Sequence, residues 1–216
     1  MKYPLTFASL LIVVSGTLAQ TVSRSGTPYD SLRTVLEEIH DQDQVIREEL
    51  VKYMQQGDSI VPSLITQMNT TDSVNQIRVN QIISSYGWLP QSKIGDKAAE
   101  ALFLVIQHSG LETMQGYLPL LKKAVETGEA NATSAALMED RILMYEGKKQ
   151  LYGTQASSRP KEDGEPSHGS TEYFIWPIEE PEKVNQRRAE IGFDLTVEEN
   201  AARMNAIYDP NEELPQ

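Results

Sequence analysis

The sequence predicts a mostly helical protein of the α+β class. About six to seven helices form a compact bundle, with a small two-stranded antiparallel β-ribbon near residues 149–155 and 172–178. Apolar residues recur every three or four positions along several stretches of helical length, whereas only those two short stretches have the composition typical of strands. The length of 216 residues fits one domain.

The first three predicted helices carry most of the apolar pattern. The first begins at Thr27-Pro28, an N-cap followed by a proline at the first helical position, and ends near Gly57. The second follows Asp72 as its N-cap and ends at a turn, 86–90, that contains Gly and Pro. The third, 96–109, is apolar along almost all of one side, which is typical of a helix at the centre of a bundle.

The rest of the chain is predicted to complete the same domain. Four more helices are expected, at 111–127, 133–146, 181–191 and 197–207. The ribbon falls between the second and third of these, and because two strands alone are only marginally stable, it must pack on helices. We therefore expect one helical domain over 20–208 and a disordered tail at 209–216.

Residues 1–19 have the layout of a secretory signal peptide. Lys2 precedes an apolar stretch, and small residues precede a cleavage site after Ala19. The stretch is too short to span a bilayer, and the alternative is a buried N-terminal helix. We expect a periplasmic or secreted protein with no membrane attachment after cleavage.

Composition excludes several classes of function. The 19 Lys and Arg against 31 Asp and Glu give a net charge of −12, which repels phosphate backbones, so no nucleic-acid partner is expected. The absence of cysteine excludes disulfides, thiol nucleophiles and Cys-ligated metals. No two histidines have metal-ligand spacing, so we predict neither a metal nor another cofactor. The expected partner is a small molecule, a glycan or a peptide, and the oligomeric state stays open.

Asp140 lies on an apolar stripe of its predicted helix. Its neighbours one turn away on either side are Ala136, Leu137, Leu143 and Met144. A buried carboxylate is costly unless it is paired and hydrogen-bonded. Asp140 is therefore either a structural residue that holds an arginine or a backbone amide, or a catalytic carboxylate whose pKa is tuned by burial.

His108 ends the third helix, directly after Gln107, on the face that carries Ala101 and Leu104. One interpretation is a general base oriented by a carboxylate such as Asp140. The other is a structural histidine with a satisfied hydrogen bond. The sequence does not decide between them.

Two polar segments complete the candidate site. Alternation along the predicted strand puts Gln150, Tyr152 and Thr154 on one face, a set typical of sugar or peptide pockets. Arg187 and Arg188 suit bidentate binding of a carboxylate or phosphate, or neutralise a residue such as Asp140. The candidate ligand-binding residues are Gln107, Arg141, Gln150, Tyr152, Thr154, Gln155, Arg187 and Arg188.

A series of short motifs runs along the chain in a characteristic order. They are Asp43-Gln44-x-x-Arg47, Tyr86-Gly87-Trp88, Gln107-His108, Asp140-Arg141-Ile142, Gln150-Leu151-Tyr152-Gly153-Thr154-Gln155 and Arg187-Arg188-Ala189. The series resembles a bacterial family catalogued as domain of unknown function 6624, over about residues 30–195. The resemblance implies a family and no activity. One departure is Leu89, which precedes Pro90 where the family pattern has proline directly after Gly-Trp.

Three functions fit these residues. The first is a hydrolase or lyase on an extracytoplasmic carbohydrate or cell-wall substrate, with His108 or Asp140 as the general base and Arg187 or Arg188 stabilising negative charge. The second is a non-catalytic module that binds a ligand or a protein. The third is a purely structural network around Asp140. The sequence leaves open whether the protein is an enzyme.

Overall fold

The computed structural model describes residues 28–56, 62–160 and 171–215. The predicted signal peptide, 1–19, lies outside the described residues. The described part is mostly helical with one two-stranded antiparallel sheet, which confirms the predicted fold class. None of its helices is long and apolar enough to cross a membrane.

The described helices and strands follow this order along the chain. They are α1 (Pro28–Gln56), α2 (Pro62–Tyr86), α3 (Gln91–Ile94), α4 (Asp96–Gln107), α5 (Leu111–Glu126), α6 (Ala132–Tyr145), β1 (Ala156–Pro160), β2 (Thr171–Ile175), a 3₁₀ turn (Pro181–Lys183), α7 (Val184–Glu190) and α8 (Val197–Arg203).

The central helix is α4, as its apolar pattern predicts. It contacts α1, α2, α3, α5 and α6. Leu102 and Ile106 on this helix are fully buried, together with Leu36 and Ile39 of α1 and Val79 of α2. These side chains belong to one large apolar cluster that holds the helical part together.

The start of α2 differs most from the prediction, and one short helix was not predicted. Helix α2 begins at Pro62, ten positions before the predicted N-cap Asp72, and the single-turn helix α3 follows Pro90. The early part of α2 is rich in Thr, Asn and Ser, which usually favour turns. Here the hydroxyls of Thr66, Thr70 and Ser73 donate to the carbonyls four residues earlier, so these residues remain helical.

The ribbon is present, but its first strand begins after the predicted segment. β1 pairs antiparallel with β2, and Ala156 lies opposite Ile175. Within 149–155, Gln150 makes only an isolated parallel bridge to Ile178. The residues from Leu151 to Thr154 turn instead of extending, because their N–H groups point to Asp140, as described below.

A second, smaller apolar cluster lies beneath the ribbon. It consists of Ile175, Ile178, Val184, Val197 and Ala201. Helix α8 is fixed at its start by a capping box in which Thr196 and Glu199 exchange hydrogen bonds. The segment 150–155 lies between this cluster and helix α6.

Candidate active site

The end of α4 brings His108 against α1. Nδ1 of His108 lies 3.3 Å from Oδ1 of Asp43, which is 3% exposed. The side chain of His108 is 18% exposed. Among the described residues, its other ring nitrogen, Nε2, has no hydrogen-bond partner. A buried carboxylate thus orients an imidazole that stays accessible on its free side.

The Asp43 carboxylate is held in its charged form. It accepts hydrogen bonds from Gln44 Nε2 at 2.7 Å and from Arg47 Nε at 3.2 Å. Burial raises the pKa of Asp43, but the hydrogen bonds and charges of His108 and Arg47 outweigh burial and lower it to about 2. Asp43 is therefore ionised throughout the physiological pH range.

Arg47 connects the two long helices. Its Nη2 donates to Asp72 Oδ1 at 2.7 Å, and its Nη1 contacts the sulfur of Met68 at 3.4 Å. By sequence spacing alone, Asp43 and Arg47 form only an i,i+4 pair on a helix surface. In the structure Asp43 points into the bundle, on the buried face that also carries Ile39 and Ile46.

Asp140 is fully buried and binds backbone amides. Its carboxylate accepts hydrogen bonds from the N–H groups of Leu151 at 2.7 Å, Tyr152 at 3.1 Å and Thr154 at 3.0 Å, and from the Thr154 hydroxyl at 2.9 Å. Burial raises the pKa of Asp140, while these donors act to lower it. This geometry matches the structural interpretation, in which Asp140 shapes the segment 150–155. Asp43 occupies the position beside His108 that the sequence hypothesis gave to Asp140.

Arg141 joins the segment 150–155 to the end of α4. Its Nε donates to Gln155 Oε1 at 3.0 Å, and its Nη1 donates to the carbonyl of Gln107 at 2.8 Å, directly before His108. Burial lowers the pKa of Arg141, and the Arg47 guanidinium lowers it further, while Tyr145 raises it. No carboxylate of the described residues lies within 4.0 Å of it. Arg141 is thus a half-buried cation near a second arginine, without an acidic partner in the described chain.

The remaining candidates hold the segment 150–155 in place. Arg187 Nε donates to the Leu151 carbonyl at 2.9 Å, and Arg188 Nη1 donates to the Tyr152 carbonyl at 2.7 Å. Gln150 is fully buried, and its Nε2 donates to the Gln155 carbonyl at 2.9 Å. The structure thus gives Arg187, Arg188 and Gln150 backbone partners of this segment.

Two buried amide side chains have polar atoms without partners. Both polar atoms of Asn75 and the Oε1 of Gln107 have no hydrogen-bond partner among the described residues. Asn75 lies one helical turn after Asp72, and the next residue, Gln76, reaches the His108 carbonyl at 3.4 Å. An unsatisfied buried polar atom costs about 1–3 kcal/mol, and a catalytic role, local strain or a bound water or ion can each account for one.

The structure therefore divides the predicted site residues into two groups. Gln107, His108, Arg141 and Gln155 lie together with Asp43 and Arg47, which sequence reasoning did not assign to the site. The second group shapes and holds the segment 150–155 through hydrogen bonds; it consists of Asp140, Gln150, Tyr152, Thr154, Arg187 and Arg188. The signal that could have found Asp43 is its spacing of four from Ile39 and three from Ile46. In the described part of the chain, no group of three or more acidic, His or Cys residues is arranged to hold a metal ion.

Comparison with known proteins gives a family and no activity. A family model described as a family of unknown function (DUF6624) matches residues 30–209. No curated protein and no solved structure matches the chain.

Proposed function

The chain belongs to the DUF6624 family, and from its own geometry we propose that it is a hydrolase or lyase that uses His108 as its general base. The substrate that we propose is extracytoplasmic carbohydrate or cell-wall material. The observation that carries the proposal is the 3.3 Å contact between Asp43 Oδ1 and His108 Nδ1, beside an Nε2 that has no partner among the described residues. A structural histidine in the core needs a hydrogen bond, but it needs neither a charged carboxylate at Nδ1 nor an unpartnered Nε2.

The contact assigns a tautomer to His108. Ionised Asp43 only accepts hydrogen bonds, so in the neutral form of His108 Nδ1 carries the proton and Nε2 carries the lone pair. In this form Nε2 can take a proton from water or from a substrate carbon. The carboxylate then stabilises the imidazolium that forms, as in other carboxylate–histidine pairs.

Arg141 is the group best placed to stabilise negative charge. Two of its nitrogens are fixed by Gln155 and by the Gln107 carbonyl, which leaves Nη2 without a described partner. A fixed cation loses little entropy when charge develops beside it, and its effect is strong in a partly buried place. This role replaces the one that the sequence suggested for Arg187 and Arg188, whose hydrogen bonds go to backbone carbonyls.

The extracytoplasmic substrate rests on proposed export of the protein. We propose that residues 1–19 are removed as a signal peptide, so that the mature protein is periplasmic or secreted. Mass spectrometry of the exported protein is expected to find Gln20 at the N-terminus. A mature protein that still begins at Met1 contradicts this part of the proposal.

The test is turnover of a substrate panel by the mature protein and two matched variants. The panel contains peptidoglycan fragments, neutral polysaccharides and uronate-containing polysaccharides. His108→Ala is expected to lower kcat by about 10²–10⁴-fold, the usual contribution of a general base. His40→Ala is the matched control, because the His40 side chain is also 18% exposed and lies beside an acidic residue, Asp41.

Folding must be measured with activity. The melting temperature of His108→Ala should stay within a few degrees of the unchanged protein. If that variant unfolds, His108→Gln keeps a hydrogen bond to Asp43 and serves instead. Full turnover by a folded His108 variant overturns the proposal.

A non-catalytic ligand-binding module is the second candidate. The observation that favours it is that many candidate residues hydrogen-bond to backbone groups of the segment 150–155. A small catalytic site requires fewer such residues. Thermal stabilisation by a member of the panel, without turnover and lost in Arg141→Gln, supports this candidate over the enzyme.

A further inference from the structure

A second concave site lies against α4, and no residue of α1 lines it. This pocket, of about 520 Å³, is formed by the turn after α2, by the first part of α4 and by the start of α6. Its volume is within the range of small-molecule sites. Asp43, His108 and Arg141 do not line it. We call it the α4–α6 pocket.

Aromatic rings form part of its wall. Trp88 and Phe103 line the α4–α6 pocket. Trp88 is half-buried and packs against the large apolar cluster, so its indole is held in place while part of it stays accessible. A fixed and partly exposed indole offers a flat apolar surface beside polar groups.

The start of α6 lines the pocket with unused polar side chains. Asn131 is the N-cap residue, yet its side chain makes no capping hydrogen bond. Thr133 and Ser134 are half-buried, and their hydroxyls have no hydrogen-bond partner among the described residues. Elsewhere in the chain, hydroxyls such as those of Thr66 and Thr70 donate to backbone carbonyls. The polar groups at the start of α6 therefore remain available to a ligand.

The facing wall carries acceptors. Asp96 and Glu100 of α4 line it, and Gln91 Nε2 donates to Asp96 Oδ1 at 2.9 Å. Glu100 is exposed, with His40 Nε2 at 3.4 Å. No lysine or arginine is among the lining residues. Two carboxylates without a basic residue disfavour an anionic ligand.

We propose that the α4–α6 pocket binds a neutral saccharide. A sugar ring has an apolar C–H face that packs on indole, and its hydroxyls both donate and accept. Those hydroxyls match carboxylate acceptors on one wall and hydroxyl and amide groups on the other. The proposal does not depend on the catalytic role of His108, since the two sites share no lining residue named above.

Tryptophan fluorescence tests the proposal directly. The protein has two tryptophans, and Trp176 lies away from the pocket with its Nε1 bonded to the Lys148 carbonyl. The full chain carrying Trp176→Phe therefore reports on Trp88 alone. Glucose, N-acetylglucosamine and chitobiose are the probes, with glucuronate as the anionic comparison. We expect a saturable emission change with at least one neutral probe, and a much weaker one with glucuronate.

Matched variants locate the binding. Added to Trp176→Phe, Thr133→Val keeps the shape of the side chain and removes one hydroxyl, and should raise the dissociation constant about tenfold, the effect of one lost hydrogen bond. Thr66→Val, near the start of α2 and outside the pocket lining, is the control and should leave the dissociation constant unchanged. The proposal is overturned if no neutral saccharide changes Trp88 emission, if glucuronate binds as well as the neutral probes, or if Thr133→Val has no effect.

Discussion

Nδ1 of His108 lies 3.3 Å from Oδ1 of Asp43, although 65 residues separate them in sequence. The contact depends on α1 and α4, whose apolar faces bury Leu36, Ile39, Leu102 and Ile106 in one cluster. A polar pair is thus positioned by the packing of the two helices that carry it. This arrangement makes several consequences measurable.

The first prediction concerns acid stability. The pKa of Asp43 is lowered to about 2 from 3.8, so its charged form stabilises the fold above about pH 4. That contribution is lost as the pH falls through 2. Urea unfolding should give Asp43→Asn a lower free energy of unfolding than the unchanged protein at pH 6. The difference between the two free energies should become smaller as the pH is lowered to 2. Glu49→Gln, exposed on the same helix, should show no such pattern; a constant gap for Asp43→Asn contradicts the prediction.

The second prediction concerns Asp140. Asp140→Ala removes the acceptor of three backbone N–H groups in a buried place, and should lower the free energy of unfolding by about 3 kcal/mol or more. Glu139→Gln, the preceding residue with an exposed partner, Lys122, should change it by less than about 0.5 kcal/mol. Chemical denaturation of both variants at pH 7 makes the comparison. Equal stability of the two variants would show that Asp140 does not hold the segment 150–155.

The third prediction concerns Gly153. Its φ is +65°, and an added Cβ would lie 2.5 Å from Cγ2 of Val197 and 2.9 Å from Cδ1 of Ile178. Gly153→Ala should therefore cost about 1–2 kcal/mol for the left-handed backbone and a further 1–3 kcal/mol for overpacking. Gly128→Ala isolates the backbone cost, because Gly128 has φ +72° and open space around it. The Gly153→Ala, Val197→Ala double variant should lose less free energy of unfolding than the sum of the losses of the two single variants, because removing the Val197 methyl groups makes room for the new Cβ. Losses that simply add would contradict the clash.

The fourth prediction concerns Arg188. Its guanidinium donates to the carbonyls of Leu195 and Tyr152, each at 2.7 Å, and lies 4.5 Å from the ring centre of Phe193. Lysine cannot reproduce this planar arrangement, so Arg188→Lys should lower the free energy of unfolding by about 2 kcal/mol. Arg203→Lys, on the exposed side of α8, is the control. Thermal unfolding that gives the same melting temperature for both variants would contradict the structural role of Arg188.

The bundle was predictable from the sequence because helices follow apolar spacing, which is a local property. Five of the predicted helices lie within a few residues of their observed positions, and α4 is central as expected. Spacing along α1 indicates that Asp43 is buried, but its contact with His108 depends on the approach of α4, which that spacing does not encode. The prediction of a strand at 149–155 was wrong, because Asp140 of α6 accepts hydrogen bonds from the N–H groups of this segment. Its residues were correctly singled out as polar, but their partners are backbone groups, and sequence patterns do not distinguish a backbone partner from a ligand.

The segment 150–155 lies between the two apolar clusters, and it is held by hydrogen bonds with Asp140 on one side and with Arg187, Arg188 and Asn200 on the other. These hydrogen bonds can all form only after α6 on one side and α7 and α8 on the other have packed against the segment. The contacts of the segment 150–155 should therefore form late in folding. In stopped-flow measurements, Asp140→Asn should accelerate unfolding and leave the refolding rate unchanged. A slower refolding rate would instead place the contacts of the segment 150–155 in the folding nucleus.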